Sequence, residues 1–260
     1  MISENQHITI AAKDLSIGYK SVTVASDISF NSHSGELIGI IGINGIGKST
    51  LLRTLGKIQP SISGSISIDG KALDSYESAD LASKISVVLT EPLASKNLTV
   101  QELIALGRQP YTNWIGTLTE QDKSKITEAI QMLQLEDLSY KKCYELSDGQ
   151  LQRVLIARAL AQDTSIILLD EPTTHLDLYH KVQILKLLKS ITQETNKTIL
   201  FTSHEIEMVI QLCDKLFVLK ETNSSFGKPS QLIEQGDFDN LFPTDTVSFD
   251  KTTSTFRISK

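Results

Sequence analysis

The segment Gly42-Ile43-Asn44-Gly45-Ile46-Gly47-Lys48-Ser49 decides how the rest of the chain is read. Its spacing is that of a glycine-rich turn whose backbone N–H groups cradle phosphate, closed by a lysine and a hydroxyl. The glycines permit tight curvature and keep side chains away from the anion. Context supports the match: Ile38, Ile40 and Ile41 predict a buried strand before it, and Leu51, Leu52 and Leu55 predict a helix after it. A helix N-terminus at that point adds positive potential. Asn44, Gly45 and Gly47 then line the cradle, and Lys48 is suited to bridge the β- and γ-phosphates of a nucleoside triphosphate. The Ser49 hydroxyl is suited to help hold Mg²⁺, and Thr50 offers a further phosphate contact.

Elsewhere along the chain, strand-like segments recur at 8–15, 22–30, 37–42, 66–69, 85–89, 166–170, 198–202 and 216–219. Several are short apolar runs without alternation, as strands buried on both faces require, so an α/β core with mainly parallel strands is expected. The run Ile166-Ile167-Leu168-Leu169 delivers Asp170 and Glu171 at its C-terminal end. Alone, such acids suit a solvated strand end. Beside a phosphate loop, Asp170 suits the Mg²⁺ shell and Glu171 the orientation or deprotonation of an attacking water.

Helical patterns dominate 92–147, and no convincing strand interrupts them, which predicts a helical insertion. Thr119 with Asp122 reads as a capping signal ahead of the apolar face Ile126, Ile130 and Leu133. A later helix over 180–196 turns Ile184, Leu187, Leu188 and Ile191 inward and leaves Lys181, Gln183, Lys186 and Lys189 for solvent. Residues 221–227 read as a polar loop, and a small hairpin is drawn around Val247 and Phe256.

The 260 residues suffice for a full core, and 40% apolar with 22% charged residues argues against disorder. A formal charge of −6 gives no general attraction to nucleic acid. The longest nearly apolar stretch, 37–43, is far short of the roughly 20 residues of a membrane-spanning helix. The N-terminus lacks the basic-then-apolar order of a secretory signal. Cys143 and Cys213 form no metal-type spacing and are expected as ordinary thiols.

Leu146-Ser147-Asp148-Gly149-Gln150 resembles the signature motif of ABC-transporter ATPases. With Asp170-Glu171, then Thr174-His175-Leu176-Asp177, then Ser203-His204, the motif order is similar to that family over nearly the whole chain. The resemblance implies a P-loop ABC-type nucleotide-binding domain: one unit over 1–260, with an N-terminal antiparallel β subdomain, an α/β catalytic core at 1–91 and 148–260, and a helical subdomain at 92–147. It implies ATP with Mg²⁺, and a head-to-tail dimer in which Ser147, Gly149 and Gln150 of one subunit meet the ATP held by the other. Asp177 then resembles the D-loop acid, His204 the switch histidine at the γ-phosphate and Tyr19 the aromatic that stacks on adenine. Ser147 also suits a helix N-cap, Tyr19 ordinary packing and His204 a helix start.

Two positions depart from the pattern. Asp148 replaces the usual glycine and is expected to point away from phosphate, because a like charge about 4 Å off would cost roughly 4 kcal/mol at an effective dielectric of 20. Val88-Leu89-Thr90-Glu91 lacks the expected Q-loop glutamine, leaving Thr90 or Glu91 to replace its water and metal contact. The stretch 98–111 is similar to ATPases of iron-siderophore, haem and cobalamin importers. That resemblance implies a separate integral membrane permease, a substrate-binding protein, attachment at the cytoplasmic face of the membrane and docking through the helical insertion. Arg108 and Tyr111 stand as permease contacts or as a surface helix end. A soluble ABC-type ATPase with a regulatory or assembly role is the alternative.

Overall fold

The computed structural model describes residues 7–20, 22–239, 241, 242 and 245–258. The chain opens with two long strands, β1 (Ile8–Tyr19) and β2 (Val22–His33), paired antiparallel. Both run farther than their apolar patterns suggest, because one face of this sheet meets water and tolerates polar residues at alternate positions. Next come β3 (Leu37–Ile41), α1 (Lys48–Leu55), β4 (Ser63–Ile68), β5 (Lys71–Ala72), α2 (Ser78–Ala82) and β6 (Ile85–Val88). Helices then take over: α3 (Val100–Ala105), a 3₁₀ segment Leu106–Tyr111, α4 (Glu120–Met132) and α5 (Asp148–Ala161). The remainder alternates β7 (Ile166–Leu169), α6 (Leu178–Thr195), β8 (Thr198–Thr202), α7 (Ile206–Leu212) and β9 (Lys215–Val218). It closes with β10 (Ser225–Gly227), α8 (Pro229–Gln235) and the hairpin β11 (Val247–Asp250) and β12 (Thr255–Ile258).

Two sheets carry the fold. A four-stranded antiparallel sheet runs β2-β1-β4-β5, and a six-stranded sheet runs β10-β9-β3-β8-β7-β6. In the latter, β9, β3, β8, β7 and β6 are parallel neighbours and β10 adds an antiparallel edge. Its strands separate two apolar cores with period 2: Leu37, Ile41, Ile167 and Leu169 face the helices, whereas Ile38, Ile40, Ile166 and Leu168 face α1 and the antiparallel sheet. Residue by residue, full burial of each such side chain contributes about 1.5–3 kcal/mol.

The capping signal at Thr119 is a capping box, and Ile126, Ile130 and Leu133 are buried behind it. Three expectations need correction. Residues 225–227 are not loop: Phe226 packs on Phe30 at 5.1 Å and draws the segment onto β9. Lys181 and Lys189 of α6 do not simply face solvent, since they pair with Glu205 and Asp214 across the start and end of α7. Arg108 is no surface residue: at 4% exposure it donates to Asp122 Oδ1 and the Ala161 carbonyl, both at 2.8 Å, and stacks 4.0 Å from the Tyr111 ring. The two cysteines are free and buried, and among the described residues no helix is long and apolar enough to cross a membrane.

Candidate functional site

β3 ends at Ile41, and residues 42–47 turn the chain into α1, whose first residue is Lys48. Gly47 has φ 103°, and a Cβ there would lie 2.6 Å from Val24 Cγ1 of β2, so the turn closes only with glycine. The buried Lys48 ammonium folds back to donate to the carbonyls of Gly42 (3.0 Å) and Ile43 (3.1 Å). Burial pushes its pKa down, while the charges of Glu171 and Asp170 pull it up.

Because β3, β8 and β7 are consecutive in the sheet, their C-terminal ends bring the loop, the acids and Thr202-Ser203-His204 together, where open α/β sheets bind ligands. Ser49 Oγ donates to Asp170 Oδ1 at 2.8 Å, and Asp170 is only 4% exposed. Glu171 sits at φ 49°, in the left-handed region, with its amide donating to Thr202 Oγ1 at 2.8 Å. Both of its carboxylate oxygens are engaged: Oε2 accepts from the Thr174 hydroxyl at 3.0 Å, and Oε1 pairs with His204 Nε2 at 2.6 Å. A serine hydroxyl and a carboxylate aimed at the phosphate turn are hard oxygen donors, and they fit Mg²⁺, which keeps several waters and shares the rest of its shell with substrate phosphates. Among the described residues no group of three or more His, Cys, Asp or Glu could hold a metal ion.

The structure thus gathers Lys48, Ser49, Asp170, Glu171 and His204. Thr50 is tied to Tyr19 instead, its hydroxyl donating to the phenol oxygen at 2.9 Å and leaving the Tyr19 ring exposed. Beside the loop, a cleft of about 430 Å³ lies between Thr23, Val24, Gly45, Ile46 and Glu221, and Asn44, next in the chain to Gly45, is exposed.

Other predicted residues stand apart. Ser147 and Gln150 cap each other at the start of α5: the Gln150 amide donates to Ser147 Oγ at 3.3 Å, and the Ser147 amide to Gln150 Oε1 at 3.0 Å. Asp148 is exposed in the first turn of that helix, where a negative charge is favourable. Asp177 caps α6 through the His180 amide and ring, which hold its carboxyl below the ordinary range. Gly149 lies against that same ring, so the starts of α5 and α6 touch. The Glu91 side chain, 66% exposed, pairs with Arg53 at 3.1 Å. Thr90 is the member of that pair that reaches the acidic strand end, donating to the Asp170 carbonyl at 3.3 Å.

Two contributors were given no site role by the sequence. Thr202 bridges both acids, since its hydroxyl also donates to Asp170 Oδ1 at 2.8 Å, and Thr174 holds Glu171. Their signal was only their place, three residues past Glu171 and two before His204.

A family model described as ABC transporter matches residues 25–174. The achromobactin transport ATP-binding protein of Dickeya dadantii is 32% identical over 237 residues, covering 91% of this chain and 88% of that protein. The iron(3+)-hydroxamate import ATP-binding protein of Bacillus subtilis is 35% identical over 213 residues, covering 82% and 79% respectively. A solved dimeric ATP-binding cassette in a post-hydrolysis state, bound to ADP and Pi, superposes with a TM-score of 0.72 at 28% identity, covering 85% of this chain and 98% of that one.

Proposed function

The chain belongs to the ABC transporter family, and from that membership we propose that it is the ATP-hydrolysing subunit powering import of an iron chelate. The observation that carries the reading is the 2.8 Å contact from Ser49 to Asp170, because it joins the phosphate loop to an acidic strand end that also presents Glu171. The cargo class rests on relatives named for achromobactin and iron-hydroxamate transport.

The phosphates of ATP lie against the backbone of residues 44–49, and Lys48 exchanges its carbonyl partners for phosphate oxygens. Mg²⁺ held at Ser49 and Asp170 would offset phosphate charge. Glu171 orients the attacking water and takes its proton as the new oxygen–phosphorus bond forms and the bond to ADP breaks. His204, already on Glu171 Oε1, steadies that carboxylate and is placed to meet the γ-phosphate. Ser147, Gly149 and Asp177 serve the ATP of a second copy, so each pocket is finished only by dimerisation. The known dimer with ADP and Pi supports that arrangement.

Coupling to transport requires an integral membrane permease, with a substrate-binding protein delivering the chelate, and places this subunit at the cytoplasmic face. The helical insertion, 92–147, is the docking unit. A cleft of about 530 Å³ lies where its 3₁₀ segment at Gly107 and Pro110 meets α2 and Arg158 of α5.

The test is hydrolysis by the complex reconstituted with its membrane partners, offered ferric siderophores, haem and cobalamin. Lys48→Ala should lose nucleotide binding. Glu171→Gln should bind ATP, accumulate as dimer and turn over roughly 100-fold or more slowly. Parental turnover by the glutamine variant would remove Glu171 as the base, and uptake of none of the chelates would reject the cargo class.

A further inference from the structure

His204 lies between two anchors. On its N-terminal side the Ser203 amide donates to the Ile40 carbonyl at 3.0 Å, and on its C-terminal side α7 begins two residues later. α7 has only seven residues, too few to hold helical shape unaided, so its position is set by what packs on it. Its inner face is fixed: Val209 lies so close to β3 that a Cβ on Gly39 would be 2.1 Å from Val209 Cγ1. Its outer face carries Glu207, whose Oε1 accepts the backbone amide of Phe256 in β12 at 2.8 Å.

The hairpin that supplies this amide is itself anchored. Phe249 and Phe256 are cross-strand partners with ring centroids 5.0 Å apart. They meet Phe238 at 4.9 Å and Phe242 at 5.2 Å, and Phe238 is buried in the same core as Ile206, Val209 and Ile210. Lys251 in the turn pairs with Asp239 at 2.8 Å. An edge-strand N–H directed at a helix carboxylate joins the two elements by a charge-assisted hydrogen bond rather than by apolar contact alone.

We propose that the C-terminal aromatic hairpin is a clamp on α7, and that Glu207 and Phe256 are positioning residues that hold His204 in register with Glu171. The inference rests on reading the site as an ATP-hydrolysing centre. Neither residue touches the nucleotide; both act through the backbone that precedes α7. Loosening the outer face of α7 lets the 2.6 Å contact between His204 and Glu171 open, and small displacements of such groups cost rate rather than affinity.

The experiment compares Glu207→Ala, Glu207→Gln and a chain lacking residues 245–260 in the assembled transporter. Glu207→Ala and the shortened chain should lower kcat by about tenfold, with KM for ATP and nucleotide affinity within twofold of the parent. Glu207→Gln keeps a carbonyl oxygen for the Phe256 amide and should restore most of the turnover. Amide hydrogen exchange over 203–212 should rise in the first two and not in the third, a readout independent of activity. If the shortened chain does not fold, the Glu207 pair decides. Parental kcat and unchanged exchange in Glu207→Ala would overturn the clamp; a parent that hydrolyses no ATP would overturn the reading of the site and leave the exchange result to judge the clamp.

Discussion

The Thr202 hydroxyl donates to Asp170 Oδ1 and accepts the Glu171 amide, both at 2.8 Å, from a side chain with no solvent exposure. One oxygen therefore sets the spacing of the two acids, and it holds Glu171 in a left-handed backbone conformation that a non-glycine residue rarely adopts. Thr202→Val keeps the shape and deletes the hydroxyl, leaving a buried amide without a partner. The expected cost is about 1–3 kcal/mol of stability and roughly tenfold in kcat, with nucleotide affinity retained because Lys48 is untouched. Thermal unfolding and steady-state hydrolysis check this, and Thr202→Ser should recover most of both. The clustering of Lys48, Ser49, Asp170, Glu171 and His204 was legible in sequence because their motifs come with a fixed local spacing. Thr202 was not: a threonine ending a buried strand looks like any β-branched strand residue, and its partner is 32 positions away. The pairing of Glu91 with Arg53 was hidden for the same reason, since the partner lies 38 positions away.

Among the elements, α4 and the 3₁₀ segment are locked by a pair that reading along the chain saw from one side only. Thr119 and Asp122 are a visible capping box, but Asp122 also receives Arg108 Nε at 2.8 Å, and the two side chains are almost wholly buried. The Thr119 hydroxyl and amide, followed by Arg108, hold the Asp122 carboxyl below its ordinary 3.8. The native state thus binds this proton more weakly than the unfolded chain. The stabilisation is fully present above the unfolded value of 3.8 and is lost as pH falls through the lower folded value. Asp122→Asn strands the guanidinium and should cost about 3 kcal/mol at neutral pH, lowering Tm by roughly 6–12 °C. As pH falls below 3.8 the parent progressively loses this advantage, so its Tm should approach that of the variant. Calorimetry of both from pH 7 to pH 3 checks the sign; a gap that widened in acid would contradict it. The capping box was readable because it is local, whereas the partner depended on the 3₁₀ segment setting Arg108 against the end of α5, which periodicity does not encode.

For the whole molecule, the α/β core and the helical stretch were readable from uninterrupted apolar runs and helical periodicity, yet the cleft between them belongs to neither. Its walls come from α2, from the 3₁₀ segment and from α5, three segments far apart in sequence. Arg158 lines it, and burial lowers the pKa of its guanidinium with no opposing charge to offset the shift. Arg158 is half-buried, and among the described residues no side chain accepts a hydrogen bond or ion pair from it, so its donors stay available at the wall of the cleft. If the permease docks here as proposed, a segment that offers a carboxylate, or the carbonyls of a helix end, would pair with those donors. The two states then respond differently to one substitution. Arg158→Met keeps the apolar stem and removes the charge, so the isolated chain should unfold no more easily than the parent and hydrolyse ATP within twofold of it. The assembled complex should weaken about tenfold or more in affinity for the membrane subunit, and chelate uptake should fall with it. Binding measured against detergent-solubilised permease, beside the unfolding curve of the free subunit, separates the two effects. Equal losses in both would mean that Arg158 serves the fold of the subunit and not its attachment.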